Sequence, residues 1–136
     1  MQVHHIDRVD GDCFIAAVSQ ATGLPYVVAA ELVVAQASRE RITVAYPLKS
    51  NPYRGVYAKT ARAIMRRLGW EWVYTYGGGK PSTYFRAEHL PKAPIIVSIH
   101  QHYVYVKNHV IYDEWDCSNG GKRIVYGYFR QVNGGP

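Results

Sequence analysis

Apolar residues in the first half of the chain recur at helical spacing. Phe14, Ile15, Ala17, Val18 and Ala21 follow one another on one face, which predicts a helix beginning at Cys13. Asp12, after Gly11, stands where a helix N-cap belongs. Gly23 is suited to close that helix, and Pro25 to open a second one running to about Ser38. Arg41 to Gly55 contains the breakers Pro47 and Pro52 and reads as a loop. Val56 to Leu68 fits a third helix, ended by Gly69.

The pattern then changes period. Trp70 to Tyr76 alternates and is rich in β-formers, and Gly77-Gly78-Gly79 with Pro81 reads as a loop. Ile95 to Ile99, Tyr103 to Val106, Val110 to Asp113 and Arg123 to Phe129 are rich in Val, Ile and Tyr and read as strands. Helices first and strands second predict an α+β fold, with N-terminal helices packed on a C-terminal antiparallel sheet. Residues 1–136 are expected to form one domain, without internal repeats.

One hairpin carries a sharper expectation. His102 to Val106 and His109 to Asp113 are separated by Lys107-Asn108. A two-residue turn there pairs Val106 with His109, Val104 with Ile111 and His102 with Asp113. That register gathers Val104, Val106 and Ile111 on one face and Tyr103, Tyr105, Val110 and Tyr112 on the other. It also sets an imidazole against a carboxylate at the open end of the hairpin.

Composition narrows the setting. Apolar residues make up 48% of the 136-residue chain, enough for one core. No run approaches the roughly 20 apolar residues of a membrane helix, and Met1 to Asp12 lacks the features of a secretory signal. The expectation is a soluble cytoplasmic protein with no membrane partner, in which Cys13 and Cys117 are free thiols. A net charge of +6 favours anionic partners. Lys59, Arg62, Arg66 and Arg67 form the densest basic group, at the spacing of a solvated helix face.

These readings converge on thiol chemistry. An Asp beside a His orients the ring and supports its charged form, and such a pair activates a nearby nucleophile. Cys13, at the first turn of a helix, is the nucleophile expected, because the helix dipole favours a thiolate there. Cys117 is the rival, but it follows the hairpin instead of opening a helix. Asp116 is the alternative orienting acid, and Trp115 is placed to shield the pair. His100 and His102 share a strand face and raise a zinc alternative with Cys13 or Asp113. The stronger expectation is no metal and no cofactor. The Gly77 to Ser82 run lacks phosphate-loop spacing because Pro81 interrupts it.

Gly11-Asp12-Cys13-Phe14-Ile15-Ala16-Ala17 resembles the nucleophile segment of papain-like cysteine peptidases. His102 to Val106 resembles their catalytic His and the strand after it, and Val110 to Asp113 the strand that carries the third residue. In length the chain is similar to bacteriocin-processing peptidase domains of transporters and to small phage or bacterial relatives. The likeness covers the two ends of the chain, and Arg39 to Pro94 matches no part of the family pattern. It implies a papain-like fold, attack of Cys13 on an amide or isopeptide carbonyl, His102 as base and Asp113 as orienting acid. It implies a protein or peptide substrate, and a phage protein of this kind would act in the host cytoplasm. The family's oxyanion-binding Gln, six residues before the Cys, is Asp7 here. The Cys13 amide supplies one donor in that reading, with Gln2, His5 and Gln101 as candidates for the second. The alternatives are a papain-like binding module without catalysis, for a protein or nucleic-acid partner, and an acyl transferase of transglutaminase type.

Overall fold

The computed structural model describes residues 1–77 and 80–132. The chain forms β1 (Gln2–His5), α1 (Cys13–Thr22), α2 (Tyr26–Ala37) and α3 (Ala58–Arg67). There follow β2 (Trp70–Tyr74), the short pair β3 (Tyr76–Gly77) and β4 (Lys80–Pro81), and β5 (Ile95–Ile99). The last strands are β6 (His102–Lys107), β7 (Val110–Asp113) and β8 (Gly127–Gln131). The architecture is α+β: a six-stranded sheet in the order β1-β7-β6-β5-β8-β2, antiparallel except where β1 runs parallel to β7. No helix among the described residues is long and apolar enough to cross a membrane.

The period-2 alternation of the strands divides the core in two. Ile96, Tyr105 and Phe129 face the helices and pack with Phe14, Ile15, Val18, Val33, Ile64 and Met65. Ile95, Val97, Ile99, Val104, Val106 and Ile111 face the other way, where Phe85, Leu90, Cys117 and Val125 cover them. Each fully buried Ile, Val or Phe stabilises the fold by roughly 1.5–3 kcal/mol, so β5 and β6 are held from both sides. Helix α1 lies on β6, with the Phe14 and Tyr103 rings edge to face at 5.2 Å. That packing sets the start of α1 beside the start of β6.

Three expectations need correction. The β6–β7 turn is Asn108-His109, with φ of 54° and 61°, not Lys107-Asn108. A primed turn needs positive φ at both central positions, and Asn tolerates this far better than Lys. Lys107 therefore stays in β6 opposite Val110, and His109 Nε2 reaches Leu90 O at 2.8 Å. Val106 pairs with Ile111 and Tyr105 with Tyr112. Partners move by two positions, so both predicted faces survive, but His102 is no longer directly opposite Asp113.

The last strand begins at Gly127, later than Arg123. Residues 123–125 bond instead to the 83–85 segment, with Phe85 N–H to Arg123 O at 2.8 Å and Val125 N–H to Thr83 O at 3.0 Å. Gly127 is required at the strand's start, since a Cβ there would meet the Trp72 ring at 2.2 Å. The polar N-terminal segment supplies a strand, β1, that period-2 reading does not reveal. It is a short edge, mostly exposed, and its order comes from pairing with β7. Within the expected Gly77–Pro81 loop, Tyr76-Gly77 and Lys80-Pro81 pair as β3 and β4, while Gly78 and Gly79 lie outside the described residues.

Candidate active site

Cys13 is the first residue of α1 and is half-buried. Asp12 holds the N-cap position, but its side chain does not cap the helix, contrary to expectation. Its carboxylate accepts instead from Arg8 Nη1 at 2.7 Å, Tyr26 Oη at 2.8 Å and the Val9 amide at 3.3 Å. Ion pairing with a largely buried guanidinium is stronger than a cap bond to a neutral amide, so the carboxylate turns away. The first helical bond runs from Ala16 N–H to Asp12 O at 3.0 Å, so the amides of Cys13, Phe14 and Ile15 precede the ladder. Gly11 precedes this turn with φ +83°, and a Cβ there would sit 2.0 Å from Tyr53 O. Only glycine lets the 51–55 loop close against the helix start.

His102 opens β6 and Asp113 ends β7. His102 Nε2 stands 2.7 Å from Asp113 Oδ2, so the two residues meet as diagonal neighbours on one face. Burial pushes the imidazole's pKa down, but the bond to Asp113 outweighs it. Cys117 and Cys13 also lie close enough to favour the charged ring, which is pushed up to about 11. Burial pushes the Asp113 carboxyl up, but His102, the Glu114 amide and Arg8 outweigh it and hold the group at about 2. Asp113 Oδ1 accepts from Arg8 Nε at 3.0 Å and from Glu114 N–H at 2.7 Å. With Nε2 committed to Asp113, Nδ1 is the nitrogen left for a nucleophile.

Cys13, His102 and Gln101 all line one cleft of about 940 Å³. Its walls are the start of α1, the Leu48–Tyr57 stretch and the β5–β6 turn. Gln101 sits in that turn with φ 55° and is exposed. The other expected accessories stand apart from the ring. Asp116 accepts from Ser118 N–H at 2.9 Å and Ser118 Oγ at 2.6 Å, so it caps a turn. Trp115 is 51% exposed and does not line the cleft. Gln2 and His5 belong to β1, two strands away from β6. Asp7 is exposed and does not border the cleft.

Cys117 is only 1% exposed and lies behind His102 instead of facing the cleft. Donor atoms of His102, Asp113 and Cys117 lie within 4.8 Å of one another. Asp113 already serves Arg8, His102 and the Glu114 amide, so the trio reads as a hydrogen-bonded pair backed by a thiol. His100 is exposed in the turn and takes no part in this group.

Two site features escape sequence reading. Arg8, whose side chain is 10% exposed, holds Asp12 and, 105 residues further along the chain from itself, Asp113, and no local pattern marks it. Cys117 reaches His102 only because the loop after β7 folds back under the sheet; its apolar burial had no counterpart in the turn-like sequence around it. Compared with known proteins, the chain matches no family model, no curated protein and no solved structure.

Proposed function

We propose that the protein is a papain-like thiol hydrolase in which Cys13 attacks an amide or isopeptide carbonyl. The observation that carries this reading is that Cys13 and His102 share one cleft while Asp113 holds His102 Nε2 at 2.7 Å. The charged His102 ring, with Nδ1–H free of Asp113, pairs with the Cys13 thiolate, which forms a C–S bond to the carbonyl carbon. The charged ring then gives its proton to the leaving amine as the C–N bond breaks. Water, deprotonated by the same ring once it is neutral, hydrolyses the thioester and restores the Cys13 thiolate beside the charged ring. The amides at the start of α1, left open because Asp12 turns to Arg8, are suited to the developing oxyanion. Gln101, which lines the same cleft, is the proposed second donor.

Asp7, a carboxylate where the family carries a donating Gln, favours a second reading, a scaffold that binds without catalysis. Incubation with a peptide library tests both readings. Wild-type protein is expected to cleave, with a Cys13-linked acyl adduct detectable by mass spectrometry, and Cys13→Ala to do neither. Added amines that capture the acyl group in place of water would indicate transfer. No adduct and no cleavage would leave only the binding scaffold.

A further inference from the structure

We infer that the substrate segment bound beside Cys13 is an acidic peptide. This inference rests on the thiol-hydrolase reading and adds the chemistry of its substrate. Lys49 and Arg54 line the cleft that holds Cys13, and no Asp or Glu among the described residues does. A second cavity of about 570 Å³ adjoins it, sharing Leu48, Lys49 and Tyr57, and adds Arg39, Arg41, Lys59 and Arg62. Together these walls carry six of the chain's 16 Lys and Arg but only one, Glu40, of its ten Asp and Glu.

That one carboxylate is already committed. Glu40 accepts from the Ser50 amide at 2.6 Å and from the Ser50 and Thr60 hydroxyls. Burial opposes its ionisation, but these bonds, with the Lys49 charge adding to them, outweigh it and hold the carboxyl below its usual range. Arg62 rests over the Trp72 ring at 6.0 Å. The other five cations form no ion pair among the described residues. A groove of net positive charge attracts and orients anionic segments. Leu48, 67% exposed, and Tyr46, 56% exposed, add apolar surface for a peptide's neighbouring side chains. A nucleic acid would match the charge but offers the Cys13 sulfur no acyl carbon, so the chemistry selects a polypeptide.

The test uses the full chain carrying Cys13→Ala, which keeps the groove and removes the nucleophile. A fluorescent oligoglutamate peptide is titrated at low salt, beside an uncharged Gly-Ser peptide and a single-stranded oligonucleotide of equal charge. Oligoglutamate is expected to bind best and to weaken about tenfold when Lys49→Glu and Arg54→Glu are combined. Both side chains are exposed, and an unchanged melting curve verifies the fold. Wild-type cleavage of a peptide library is read in parallel for acidic residues flanking the cut. Cleavage without acidic enrichment would overturn this inference and leave the hydrolase standing. Oligoglutamate binding without any cleavage would overturn the hydrolase and keep the acidic-peptide groove. Equal binding of the neutral peptide, tighter binding of the oligonucleotide, or indifference to the charge reversals would overturn the inference.

Discussion

Arg8 and Asp113 form an ion pair that ties the segment ahead of Cys13 to the end of β7, with Nε 3.0 Å from Oδ1. The same guanidinium holds Asp12, the residue next to the nucleophile candidate, at 2.7 Å. One side chain thus positions both halves of the site. Removing it takes the cation from two carboxylates that are 1–2% exposed, leaving Asp12 with neutral donors alone and Asp113 with His102 and the Glu114 amide. Arg8→Met is expected to lose about 3 kcal/mol in urea unfolding. It is also expected to slow Cys13 chemistry through misplacement, with the loss recovered in part by Arg8→Lys.

The paired charges of His102 and Asp113 predict the pH dependence of stability. His102 is raised in the folded state, from 6.5 to about 11, so its contribution is full below the unfolded value and fades as pH rises toward 11. Asp113 is lowered, from 3.8 to about 2, so its contribution is full above 3.8 and fades as pH falls toward 2. The stability gap between wild type and His102→Gln is therefore expected to narrow in alkali. The gap to Asp113→Asn is expected to narrow in acid. Urea midpoints measured across pH check both limbs, and a gap that widens in alkali would contradict the first.

Gly11 is a backbone requirement of the cleft. Gly11→Ala places a Cβ against the Tyr53 carbonyl at a positive φ. The expected cost is more than about 1 kcal/mol of stability, together with slower alkylation of Cys13 as the 51–55 loop is displaced. A thermal melt and a labelling time course read the two effects separately.

Cys117 separates a supporting thiol from an attacking one. Because it is buried behind the ring, Cys117→Ala is expected to cost about 1 kcal/mol and to retain most hydrolysis. Cys13→Ala is expected to abolish it. The reverse result would transfer the nucleophile to Cys117.

The helices were legible in the sequence because their stop and start residues act locally. Gly23 adopts φ 77° at the end of α1, and Pro25 precedes α2, as the residues alone indicate. The His102–Asp113 contact was legible for a subtler reason. The predicted register was off by two, which preserves the face on which each side chain lies, and both side chains span the diagonal. Asp12 misled because cap propensity says nothing about a distant competitor, and Arg8 outbids the helix amides for its carboxylate. The β1–β7 pairing and the approach of Cys117 to His102 rest on contacts between segments far apart in the chain. No periodicity within either segment encodes them.

Activation of Cys13 by His102 is read by iodoacetamide labelling followed by peptide mass spectrometry. Cys13 is expected to label faster than Cys117 and faster than a free cysteine peptide at neutral and mildly acid pH. His102→Ala is expected to slow it by roughly 100-fold, with Cys117 little changed. Equal labelling of Cys13 in wild type and His102→Ala would show that His102 does not activate the thiol.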